Sequence, residues 1–118
     1  MTDVAAKDSL TVTDNRTGQK YDIAITDNTI AAKDLGQIRL EQGRALLDAR
    51  RFGDAATELR QAISLLPSSA AAHNDLGVAL ASVNEVAAAA AQFRQAVVLN
   101  PDFVEARRNL TAAEALMR

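Results

Sequence analysis

Two hydrophobic patterns divide this chain. Between Ser9 and Thr26 apolar and polar residues alternate: Leu10 and Val12 against Thr11 and Thr13, then Tyr21, Ile23 and Ile25 against Asp22, Ala24 and Thr26. A period of two in β-branched and aromatic residues is the pattern of half-buried strands. The stretch between them, Asp14-Asn15-Arg16-Thr17-Gly18, has turn chemistry, with Gly18 able to take φ > 0. These residues predict a β-hairpin segment over 9–35 with one apolar face made by Leu10, Val12, Tyr21, Ile23 and Ile25. Residues 1–8 carry no period and read as a flexible lead.

From Gly36 onward the period is helical, and the sequence repeats itself. RFGDAATELRQAISLLP, Arg51 to Pro67, returns thirty-four residues later as EVAAAAAQFRQAVVLNP, Glu85 to Pro101. Ala55 falls on Ala89, Leu59 on Phe93, Arg60-Gln61-Ala62 on Arg94-Gln95-Ala96, and Pro67 on Pro101. Upstream, Gly43 falls on Gly77, Ala45 on Ala79 and Leu46 on Leu80. The pattern predicts helices at about Gln37 to Ala49, Gly53 to Leu66, Ala70 to Val83 and Val86 to Leu99, and a last one within Phe103 to Arg118. Proline in Pro67-Ser68-Ser69 and Asn100-Pro101-Asp102 ends a helix, and Ser69 or Asp102 can cap the next.

A repeat of this length, with small residues and a closing proline in step, resembles the tetratricopeptide repeat family. The resemblance implies a mainly α fold: two helix-turn-helix repeats, 36–69 and 70–103, and a C-terminal capping helix, 104–118, preceded by the β-hairpin. Each repeat would pair an A helix with a B helix, with Gly43, Gly77, Ala55, Ala62, Ala89 and Ala96 where the two meet. Leu46, Leu59, Leu80 and Phe93 would fill the seam. The chain departs from the family pattern at Arg39 and His73, where an aromatic is usual, at Gln42 for leucine, and at Leu46 and Leu80 for tyrosine. His73, the sole histidine, is expected to fill that signature slot and to do no chemistry. In the last helix Ala106, Leu110, Ala113 and Met117 form the docking stripe. Arg107, Thr111 and Glu114 would face solvent, so the array is expected to be complete at that end. Ile38, Ala45 and Ala49 face the side where a preceding unit would sit.

Residues 9–38 carry a second resemblance. SLTVTDNRTGQKYDIAITDNTIAAKDLGQI, with Thr29-Ile30 and Asp34-Leu35-x-x-Ile38 after the strands, looks like the N-terminal segment of bacterial citrate synthases. It implies a structural piece, a relic of a fusion, and no activity, because that family's catalytic residues lie far downstream of it.

Composition narrows the function classes. The chain is 48% hydrophobic and 24% charged, an ordinary globular balance, and only 3% aromatic. A net charge of -2 offers no basic field for nucleic acid. Without cysteine there is no thiol chemistry or thiolate metal site. No apolar run approaches a membrane span, and the acidic N-terminus is unlike a signal peptide, so a cytoplasmic setting is expected. No triad, phosphate loop or metal-ligand spacing is present, which predicts no enzyme, cofactor or metal.

Two non-catalytic readings follow. In the first, the concave A-helix face receives a protein or peptide segment through Leu40, Arg44, Leu47, Asn74, Val78, Arg108 and Asn109. A receptor for acidic C-terminal tails is disfavoured, because Asp75 and Glu105 stand among the matching positions Leu40, Arg44 and Asn109. In the second, the chain self-associates, as a homodimer, through the hairpin face and the open first repeat. Ala88 and Ala91, in place of Asp54 and Thr57, would bare an apolar strip that favours it.

Overall fold

The computed structural model describes residues 9–13, 20–26 and 29–118. Among these, five helices carry the fold: α1 Ala32–Asp48, α2 Phe52–Leu65, α3 Ala70–Ser82, α4 Val86–Leu99 and α5 Val104–Leu116. Ahead of them lie strands β1 Ser9–Thr13, β2 Lys20–Thr26 and β3 Thr29–Ile30, ordered β1-β2-β3 and antiparallel. Leu10 stands opposite Ile23 and Val12 opposite Tyr21. The lead 1–8 and the turn at Asp14–Gly18 lie outside the described residues, as does the burial of Leu10, Val12, Tyr21, Ile23 and Ile25.

The helices follow the repeat. α1 packs on α2 and α3 on α4, while α2 meets α3 and α4 meets α5. Leu40, Leu59, Leu76, Leu80 and Phe93 form one core with a set of buried alanines, among them Ala55, Ala62, Ala79 and Ala89. Alanine suits these positions because it lets helices approach with little side-chain entropy to lose. Gly43 shows how close the approach is, since a Cβ there would lie 2.5 Å from Leu59 Cγ. Gly77 meets the Phe93 ring in the same way. Ser69 caps α3 as expected, its hydroxyl accepting from the Ala72 N–H at 3.1 Å. Asp102 does not cap α5, whose N-cap is Phe103. Its N–H instead donates to Asn100 Oδ1 at 3.2 Å.

α1 begins at Ala32, ahead of the expected Gln37, and takes Gly36 into its interior. Glycine there weakens the helix by roughly 0.5–1 kcal/mol relative to alanine. Packing requires it, because a Cβ on Gly36 would fall 2.6 Å from Leu66 Cγ. Ile38 and Ala45 of α1 are buried, while Ala49 is exposed.

α1 and α3 end in the same left-handed turn. Arg50 has φ 60 and Asn84, its repeat equivalent, φ 68. The Arg51 N–H reaches the Leu46 carbonyl at 2.8 Å and the Arg50 N–H the Leu47 carbonyl at 3.0 Å. Glu85 to Leu80 and Asn84 to Ala81 repeat these bonds at 2.8 and 3.0 Å. This is the Schellman arrangement, which satisfies the last carbonyls of a helix and favours glycine or asparagine at its left-handed residue. Arginine is strained there. Arg50→Asn, which copies the second repeat, is expected to stabilise the fold by roughly 0.5–1 kcal/mol. A urea midpoint that rises at unchanged m-value is the expected outcome.

The signature slot is filled by polar pairs. Arg39 Nη1 donates to Glu58 Oε1 at 2.9 Å, and His73 Nδ1 meets Gln92 Oε1 at 2.8 Å, each nineteen residues apart. His73 is buried, and its Nε2 lies 3.1 Å from the Pro67 carbonyl. A bond from helix A to helix B thus replaces an aromatic wedge in both repeats.

Candidate functional site

α1, α3 and α5 are the A helices, and repeat-equivalent residues on them differ in exposure. At the triplet Leu40, Asn74 and Arg108, the first is 3% exposed, the second 1% exposed, and the third open to solvent. The expectation that Leu40 and Asn74 face a partner is therefore corrected: both are buried within the helix stack. α3 packs beside α1 and α5 beside α3, and no further A helix stands beside α5 among the described residues. A position that is groove surface on the last helix is an inter-helix contact on the others.

Asn74 needs a partner because it is buried, and the next helix supplies one. Asn109 Nδ2 donates to Asn74 Oδ1 at 3.0 Å. Asn109 is half-buried and also borders a hollow of about 280 Å³ between α3 and α5. Val78 and Ser82 of α3, Phe93 of α4, and Ala112 and Leu116 of α5 line it with Asn109. Leu116 is 74% exposed at this edge. The hollow is therefore mostly apolar, with one amide fixed by a buried neighbour. Of the predicted residues, the structure brings Val78 and Asn109 together here. Leu47 is half-buried against the core, and Arg108 is exposed elsewhere on α5.

Arg44 is also accounted for, since its Nε donates to Asp75 Oδ2 at 2.8 Å and it is about half exposed. Burial pushes the Asp75 carboxyl above the usual carboxylate range, Arg44 pulls it back, and Glu105 adds to the rise. A carboxyl whose folded pKa is raised makes the folded state bind more protons than the unfolded one. Stability from this group is thus lowest above the folded pKa and recovers as pH falls towards the unfolded value. Asp75→Asn removes that trend. Urea denaturation at pH 7 and pH 4.5 is expected to show wild type gaining on the Asp75→Asn variant as pH falls. A difference between the two that is constant with pH counts against it.

Sequence reasoning missed Ser82, Ala112 and Leu116. The first two are small residues with no signal of their own, and Leu116 was passed over because the docking stripe was drawn through Met117. Met117 is 49% exposed and caps the helix end, so it does not dock. Glu114, expected to be solvated, is half-buried and lies 3.4 Å from Arg94 Nη2 of α4. The charge lining is sparse. No group of three or more potential metal ligands occurs among the described residues, and no described helix is long and apolar enough to cross a membrane.

Comparison with known proteins supplies the family context. A family model described as tetratricopeptide repeat matches residues 40–102. Among solved structures, the Arabidopsis OM64 TPR domain superposes with a TM-score of 0.70 at 19% identity, over 74% of this chain and 73% of that one. MamA gives 0.68 at 27% identity, over 70% of this chain and 48% of that one. The first TPR of Spaghetti (RPAP3), solved bound to the HSP90 peptide SRMEEVD, gives 0.68 at 18% identity, over 70% and 65%. The chain thus spans about two thirds of the Spaghetti chain and about half of the MamA chain. No curated protein sequence matches it.

Proposed function

This chain belongs to the tetratricopeptide repeat family, and we propose that it acts as a non-catalytic interaction module that takes an extended protein segment on its A-helix side. The observation that carries the reading is the hollow between α3 and α5, with apolar walls and the amide of Asn109 held in place by Asn74. An apolar pocket with a few placed polar groups is the usual form of a recognition site. Val78, Ala112 and Leu116 would take an aliphatic side chain, while Asn109 would bond the segment's backbone.

The Spaghetti domain was solved with an acidic peptide. In this chain Asp75 already holds Arg44, and Glu105 is exposed close enough to act on Asp75. Those charges would repel an acidic tail, so the preferred segment is neutral and carries leucine or isoleucine. Residues 9–38, which resemble the citrate synthase segment, have no chemical part in this reading.

Titration of the full chain with a neutral leucine-bearing peptide library and with SRMEEVD tests it. Ala112→Arg, which fills the hollow from an exposed position, is expected to weaken the library hits at least about tenfold while leaving the circular dichroism spectrum unchanged. Equal binding by wild type and Ala112→Arg, or preference for SRMEEVD, counts against the proposal.

A further inference from the structure

A second surface lies further round α5 and meets the hollow between α3 and α5 at Ala112. There Val104, Arg107, Arg108, Thr111, Ala112 and Ala115 line an open depression of about 600 Å³. Val104 is 55% exposed, and the others named are exposed too.

The repeat itself says what kind of group this surface fits. Val104, Arg107 and Thr111 stand sixty-eight residues after Gly36, Arg39 and Gly43, and thirty-four after Ala70, His73 and Gly77. In the first unit those three positions are occupied by the B helix: Gly36 meets Leu66, Arg39 pairs with Glu58 at 2.9 Å, and Gly43 meets Leu59. In the second unit His73 bonds Gln92 and Gly77 meets Phe93. The described contacts of α5 are with α4 and α3, on its other sides. The guanidinium of Arg107 has no acceptor among the described residues, although its counterpart Arg39 has one and so does the imidazole of His73.

We propose that this face of α5 docks an amphipathic helix supplied by a partner protein, seated as the B helices seat on α1 and α3. Its chemistry follows from the positions it must meet. A glutamate, at the place of Glu58, would pair with Arg107. The residue after that glutamate would be small, because Thr111 carries the Cβ that Gly43 and Gly77 lack. Leu59 and Phe93 fit only against glycine. Small apolar residues would then close over Val104, Thr111 and Ala115. The docked helix turns Arg107 from a surface charge into a partnered one, which gives the contact its register.

The experiment titrates isotope-labelled full chain with a synthetic peptide of residues 51–66 carrying Leu59→Ala, followed by backbone amide shifts. Saturable shifts centred on 104, 107, 111 and 115 are expected. Glu58→Lys in the peptide should weaken binding at least about tenfold, and Arg107→Glu in the protein should restore it. The unmodified peptide, with leucine at 59, should bind less tightly than the alanine form. The proposal is overturned by an absence of shifts at about 1 mM peptide, by shifts centred on Val78 and Asn109, or by failure of the charge swap. It is also overturned if light scattering shows that the chain alone dimerises through these residues, since a second copy is then the occupant.

Discussion

Gly77→Leu is expected to lower the melting temperature by on the order of 10–20 °C. A Cβ at Gly77 already falls against the Phe93 ring, and Phe93 is buried in the seam between α3 and α4. Ala89, Ala90 and Ala96 on α4 are buried with the ring, and the room left to it lies towards the hollow between α3 and α5, away from the crossing. Overpacking of this kind costs about 1–3 kcal/mol or more, and a leucine that forces two helices apart lies at the upper end. Replacing a helix-interior glycine returns about 1 kcal/mol of propensity, which leaves a net loss of about 2–3 kcal/mol. Each kcal/mol shifts a domain of this size by about 4–8 °C. Phe93→Ala should destabilise on its own, yet the two together should lose less than their sum, because one change removes the ring that the other meets. Strict additivity, or a shift of only a degree or two from Gly77→Leu, would mean that the helices do not cross at Gly77.

That crossing was legible in the sequence because it depends on residue size at a fixed spacing. Gly43 and Gly77 stand in register thirty-four residues apart, as do Leu59 and Phe93, and one substitution explains the other. The four repeat helices were placed within a few residues for the same reason, apart from the start of α1. There Gly36 looked like a boundary, and only the proximity of Leu66 shows that it is a packing residue.

The A-helix side was less legible, and the triplet Leu40, Asn74 and Arg108 shows why. Helical spacing assigns all three to one face, but exposure depends on whether another A helix stands beside that face. Leu40 and Asn74 are stack contacts, whereas Arg108 on the last helix is free surface. A buried asparagine such as Asn74 persists because Asn109 bonds it, and that pairing joins residues thirty-five apart. The left-handed residue Arg50 was equally hidden, since arginine carries none of the turn signal that glycine or asparagine gives.

Removing α5, by ending the chain at Pro101, is expected to abolish cooperative unfolding altogether. Repeat arrays hold together by the interfaces between neighbours, while each isolated helix of this length is unstable in water. α5 contributes Ala106 and Ala113, both buried, and the half-buried Leu110, and it covers Asn74 and part of the α4 surface. Burying one leucine-sized side chain is worth about 1.5–3 kcal/mol, and α5 buries apolar area on both sides of its interface. A loss of several kcal/mol is comparable with the whole stability of a small domain, about 5–15 kcal/mol. The bared Asn74 would also lose its partner, and α4 would lose the neighbour that secures it. Circular dichroism should therefore show reduced helicity and a broad melt with no midpoint. If the truncated chain melts sharply and within a few degrees of the full one, then α1 to α4 form a self-sufficient unit and α5 is an accessory to it.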